Sequence, residues 1–153
     1  MRHTLTAQVL ARAIKTIYPD SQLAIGPTIK DGFYYDFKTN KTVSIDSLHD
    51  IEKEMKKIID SKSNITKKLF SRKDALKVFN DNKEPYKKLI IEDSDQKNDF
   101  QLYFQDDNQF ADLCRGPHLP NLSFIGSFKL TRVSGACLLY TSDAADEGLR
   151  VDL

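Results

Sequence analysis

The apolar residues of this chain change their period and then change it back, and that switching constrains the fold more than any single motif. In TAQVLARAIKTIYP, Val9, Leu10, Ala13, Ile14 and Ile17 recur at helical spacing, and Pro19 marks the stop. This helix is expected to carry the core. QLAIGPTI then reads as a short strand broken by Gly26-Pro27, and GFYYDF as a second strand after the turn at Asp31-Gly32, together a hairpin. Helical spacing returns in SIDSLHDIEKEMKKIID, capped by Ser44 or Asp46, where Leu48, Ile51, Met55, Ile58 and Ile59 make one apolar stripe. ITKKLFS reads as a strand, Ser71 caps a short helix RKDALKVFN, and EPYKKLIIED begins another turn of chain ending in apolar residues. QLYFQ, QFADLC and SFKLTRVSGA read as further strands. The pattern predicts an α+β domain, an antiparallel sheet around a long core helix.

At 153 residues the chain is long enough for one domain with a real core. The net charge of +1 gives no whole-chain electrostatic argument for a nucleic-acid partner, so any such binding must come from local patches. With two cysteines, no long apolar run and no signal-peptide pattern, the chain reads as soluble, cytoplasmic and without a membrane partner. His49 and Lys53, Lys56, Lys57, Lys67 and Lys68 read as a solvated face, with phosphate binding by some of these lysines as the alternative.

The stretch DLCRGPH, residues 112 to 118, packs an acid, a thiol, a guanidinium and an imidazole around a Gly-Pro that forbids a regular helix. On residue types alone it is a metal site, a nucleophile with its base, or a polar turn. Cys114 can equally be an ordinary buried thiol, and His118 a turn histidine bonding backbone.

The order of the motifs resembles the threonyl-tRNA synthetase family. A helix ending in Tyr-Pro-Asp, a strand with Ile-Gly-Pro and the run Gly-Phe-Tyr-Tyr-Asp are followed by EKEMKKII, EPYK, DLCRGPH and FKLTRVSGA. The resemblance spans residues 2 to 136 and is to the N-terminal editing domain of the bacterial-type enzymes. It implies a fold of the threonyl/alanyl-tRNA synthetase editing type, with a helical insertion. It also implies removal of serine from mischarged tRNA(Thr), because one missing methyl is worth only about 1 to 3 kcal/mol of discrimination at a synthetic site. The implied partners are the acceptor end of tRNA(Thr) carrying serine and the rest of a synthetase chain, with a homodimeric parent enzyme. The class II core and anticodon-binding domain do not appear in the sequence, so this chain alone is expected not to make threonyl-tRNA, and ATP and zinc are expected only in that core.

Carried over position by position, Cys114, His118, Lys87, Asp112 and His3 are the implied catalytic set, with Tyr35, Gly26, Pro27, Gln8 and Arg115 lining the substrate pocket. The family begins its first helix with His-x-x-x-His. Anchored on VLARAIKTIYP, this sequence has Thr4 and Gln8 at those places, with His3 displaced by one residue. The editing reaction needs a positioned water, a proton relay and oxyanion donors rather than a cofactor. The alternative is zinc on His3, Cys114 and His118, a feasible three-ligand set. Three functional readings follow: an editing hydrolase within a ligase, an acceptor-end binding module without hydrolysis, and a free-standing trans-editing deacylase.

The resemblance stops at residue 136. From Cys137 onward, CLLYTSDAADE matches a transposase-type adapter end translated in one frame, and Val-Asp-Leu at the end matches a downstream primer. Residues 137 to 153 are therefore expected to be a non-native tail, its backbone lying loosely on the domain, with no function at Cys137, Asp143, Asp146 or Glu147.

Overall fold

The computed structural model describes residues 1–137 and 147–152. Its first element, α1 (Arg2–Ile17), buries Leu5 through Ala11 without a break, together with Ala13 and Ile14. A helix buried around that much of its circumference sits inside the domain rather than on it. Tyr18 ends it, ahead of Pro19. The expected hairpin forms from short pieces: β1 (Gln22–Leu23) and β2 (Thr28–Ile29) both pair antiparallel with β3 (Gly32–Lys38). The break at Gly26-Pro27 divides the first arm, since proline cannot donate to a ladder.

Helix α2 (Ile45–Asp60) starts at Ser44 in a reciprocal capping box with Ser47, and buries Leu48, Ile51, Met55 and Ile58. With α1 and β3 it forms the main core, which includes Phe33, Tyr35 and Phe37. A second core lies under a separate antiparallel sheet, β4 (Ile65–Phe70), β5 (Phe100–Gln105) and β6 (Phe110–Leu113). There Phe100, Leu102 and Phe104 pack on Ala75 and Phe79 of α3 (Arg72–Asp81) and on Ile91 of α4 (Pro85–Glu92). The α+β class read from the sequence holds, as does the solvated placing of His49 and of Lys53, Lys56, Lys57, Lys67 and Lys68.

Two elements differ from expectation. EPYKKLIIED forms a full helix, because Pro85 occupies the first helical position, where its missing N–H is no loss. SFKLTRVSGA is a strand only over β7 (Arg132–Cys137). Ahead of it, the Leu130 N–H is taken by the Glu52 carboxylate of α2 at 2.6 Å instead of by a neighbouring strand. Where the tail is described, β8 (Glu147–Asp152) runs between β3 and β7, its backbone paired antiparallel on both edges. Main-chain pairing needs only an extended backbone, so that place in the sheet does not require a selected sequence. Residues 138–146 and 153 of the tail lie outside the described residues.

Candidate functional site

The two cores meet along a cleft of about 780 Å³. Helix α1 contributes Thr4, Ala7 and Gln8, the broken hairpin gives Ile25, Gly26, Pro27 and Tyr35, α4 gives Lys87 and Ile90, and β6 with its following loop gives Asp112 to Arg115. Eight of the ten residues expected at the site therefore line one cavity.

At its floor lies a closed polar cluster. Lys87 Nζ and Asp112 Oδ1 stand 2.5 Å apart, their side chains 3% and 4% exposed. Asp112 Oδ1 also accepts the Leu113 N–H at 2.8 Å, and its Oδ2 accepts the Tyr35 hydroxyl at 3.0 Å. The ammonium sits 5.4 Å from the centre of the Tyr35 ring. Burial raises the Tyr35 phenol well above its ordinary value, and the Asp112 charge beside it acts in the same direction, so the hydroxyl stays a donor. Gly26 makes room for that ring: a Cβ there would lie 2.6 Å from Tyr35 Cε2 and closer still to Cδ2.

Behind the cluster lies Glu84, which the sequence motifs do not single out. The Glu84 carboxylate, just ahead of α4, takes the Lys15 ammonium of α1 at 2.6 Å and the Leu23 N–H at 2.8 Å. Burial pushes Glu84 above the usual carboxylate range, and both of these contacts oppose the shift. One side chain thereby ties α1, β1 and α4 together. Its signal in the sequence was weak, an acid before a proline. The loop between α4 and β5 was also missed: Asp93, Ser94, Asp95, Gln96 and Asp99 all line the cleft. Its polar run IEDSDQKND is a loop signal, but nothing in the run says which cavity it borders.

The loop after β6 turns sharply at Gly116, which has φ +63° and precedes a cis peptide to Pro117. A Cβ at Gly116 would sit 2.8 Å from Tyr103 Cζ and nearer its hydroxyl, so only glycine lets the loop close on that ring. Cys114 Sγ accepts the Gly116 N–H at 3.3 Å. Burial pushes the Cys114 thiol up, so at neutral pH it stays protonated and is not a thiolate nucleophile.

The structure does not bring the two expected histidines to the cleft. His118 lies edge-on to Tyr103, ring centroids 4.2 Å apart, with both ring nitrogens buried and unbonded among the described residues. Burial lowers its pKa to about 4, against a smaller opposite pull from Asp112, so the imidazole is neutral near pH 7 and a weak base. His3 is exposed, its ring 6.4 Å from that of Phe33. The reason is helical phase: α1 is regular from Arg2, so Thr4 and Gln8, one turn apart, share the cleft face and His3 points elsewhere. Among the described residues, no three His, Cys, Asp or Glu side chains come together to hold a metal, and the alternative set of His3, Cys114 and His118 is not assembled.

The comparisons fit this architecture first as a class of domain. Residues 101–138, which include β5 from its second residue, β6 and the Cys114 loop, match the family described as Threonyl and Alanyl tRNA synthetase second additional domain. The relatives are more particular. The chain is 46% identical over 136 residues to the threonine–tRNA ligase of Ehrlichia chaffeensis, covering 89% of this chain and 21% of that protein. Against the threonine–tRNA ligase of Acinetobacter baumannii it is 39% identical over 150 residues, 98% of this chain and 23% of that one. For Borreliella afzelii the figures are 44% over 137 residues, 88% and 23%. The resemblance to threonyl-tRNA synthetases read from the motifs is thus borne out, and the chain spans roughly a fifth to a quarter of the length of these relatives, from 21% to 23%. No helix among the described residues is long and apolar enough to cross a membrane.

Proposed function

We propose that the chain is the editing module of a threonine–tRNA ligase and that its cleft hydrolyses the ester joining serine to the end of tRNA(Thr). The observation that carries this reading is the buried cluster of Lys87, Asp112 and Tyr35 at the floor of a cleft that also holds Cys114. Water adds to the ester carbonyl, the bond to the ribose oxygen breaks, and that oxygen leaves with a proton from the water. Both oxygens of Asp112 already accept hydrogen bonds, so Asp112 holds Lys87 rather than taking the water's proton. The Lys87 ammonium has protons left for the oxyanion that forms on the carbonyl. Cys114, as a thiol, helps to place the water. Arg115, exposed at the cleft, suits the backbone phosphate of a nucleic-acid end. No cofactor enters this scheme, and the parent enzyme is a cytoplasmic homodimer whose other domains use ATP and zinc.

The assay is release of labelled serine from seryl-tRNA(Thr), with threonyl-tRNA(Thr) as comparison. Release of serine with threonine spared is expected, and Cys114→Ala should lower it by about 10- to 10⁴-fold if the thiol handles the water. Equal rates for both esters overturn the reading. A second reading, an acceptor-end platform without hydrolysis, is favoured by one observation: among the described residues no imidazole lines the cleft. Tight binding of seryl-tRNA with no release of serine would select it. A free-standing deacylase differs only in what adjoins the chain. We further propose that residues 137 to 153 are adapter-derived; amplification of the locus should give a different continuation, and a natural reading frame through LLYTSDAADE refutes it.

A further inference from the structure

The α1 side of the cleft holds a group that the hydrolytic scheme leaves unused. Gln8 is 2% exposed, lines the cleft, and has neither Oε1 nor Nε2 bonded to any described residue. A carboxamide buried with both ends unpaired is costly, and such groups usually have a partner. The polar cluster of the cleft does not supply one: Gln8 bonds to none of Lys87, Asp112 and Tyr35. From this juxtaposition we infer that Gln8 reads a neutral hydroxyl of the bound substrate, accepting a hydrogen bond from it at Oε1 and donating one to it from Nε2.

The chemistry of the two ends excludes the charged alternatives. A phosphate or carboxylate would take the Nε2 protons but repel Oε1, and an ammonium would do the reverse. A hydroxyl carries one donor and two acceptor positions, so one or two of them satisfy both ends without leaving a charge buried. An aminoacylated ribose offers such hydroxyls from two sources: the β-hydroxyl of the amino acid and the ribose hydroxyl beside the ester. The inference rests on the editing reading for the class of ligand, but not for the orphaned amide itself.

The test uses the whole chain and three stable ligands in calorimetry. The first is serine amide-linked to 3′-amino-3′-deoxyadenosine. The second carries alanine, lacking the β-hydroxyl, and the third is the serine compound without its 2′-hydroxyl. Gln8→Leu should weaken the first by about 10- to 100-fold, the value of a hydrogen-bonded group left unpaired. It should leave unchanged whichever second or third ligand lacks the hydroxyl that Gln8 reads, and that ligand names the source. Equal weakening of all three ligands marks a merely structural role and overturns the inference. So does no weakening, or no binding of any of them by the unaltered chain. Gln8→Met, closer in shape, gives the same readout if Gln8→Leu does not fold. Gln8-dependent binding without release of serine from seryl-tRNA removes the editing reading alone. Release that Gln8→Leu leaves unaltered removes this inference alone.

Discussion

On the wall of the cleft built by α4 and β6, Asp112 meets Lys87, Tyr35 and the Leu113 N–H, so both carboxylate oxygens are occupied. On the α1 side, Gln8 is buried as deeply and bonds to no described residue, and behind the loop the two nitrogens of His118 are in the same position. The difference separates what the fold completes by itself from what it leaves incomplete. A satisfied buried network fixes geometry before anything binds, whereas an orphaned group weakens the free protein and makes a matching partner more favourable.

The largest expected effect breaks the satisfied wall. Asp112→Ala strands the Lys87 ammonium in a buried site, and urea denaturation should show a loss of about 3 to 5 kcal/mol. The double change Asp112→Leu with Lys87→Met should recover much of that loss, because it removes both charges together. A double variant as unstable as the single one would mean that the wall is held by packing rather than by the pair.

A smaller effect sharpens the other side. Folded His118 is held to about 4 by burial, against an ordinary 6.5. At pH values above 6.5 both folded and unfolded chains carry it neutral, and it contributes nothing to the pH dependence. As pH falls from 6.5 towards 4 the unfolded chain takes the proton first, so stability is lost across that window and levels off below it. Its partial exposure limits the loss to about 1 to 2 kcal/mol. His118→Phe should flatten the difference in a pH series of denaturation midpoints, and parallel curves for the two proteins would show that the imidazole does not titrate as described. The smallest effect is in Gln8→Leu without ligand: stability should be unchanged or higher by up to about 1 kcal/mol, measured by thermal melting, because an unpaired amide is removed.

What was legible in the sequence was local. The stripes of α1 and α2 follow from spacing within a few residues, with Ile17 and Ile59 only partly buried; of Ser44 and Asp46, Ser44 is the cap of α2, and Ser71 caps α3 as read. The gathering of Tyr35, Lys87 and Asp112 followed from motif order, not from any local rule. The misplaced histidines show the limit of that carry-over. A displacement of one residue along a helix rotates a side chain by more than a quarter turn, which is enough to put His3 outside the cleft. His118 keeps its place in the motif, but its ring goes to Tyr103, a contact that depends on the Gly116 turn. Glu84 was illegible because its partners, Lys15 and Leu23, are far from it in sequence.

Those long ties bear on when the site comes into being. The Tyr35–Asp112 bond spans 77 residues, the Glu84 bond to the Leu23 N–H spans 61, and Arg12 on α1 reaches Asp106 across 94. Contacts so far apart must wait for large loops to close, which slows folding relative to the helices they join. During synthesis Lys87 emerges from the ribosome ahead of Asp112, so the nascent chain exposes the lysine before its counter-charge. The cleft is completed late within this chain, and no stretch that stops short of β6 can hold its floor together.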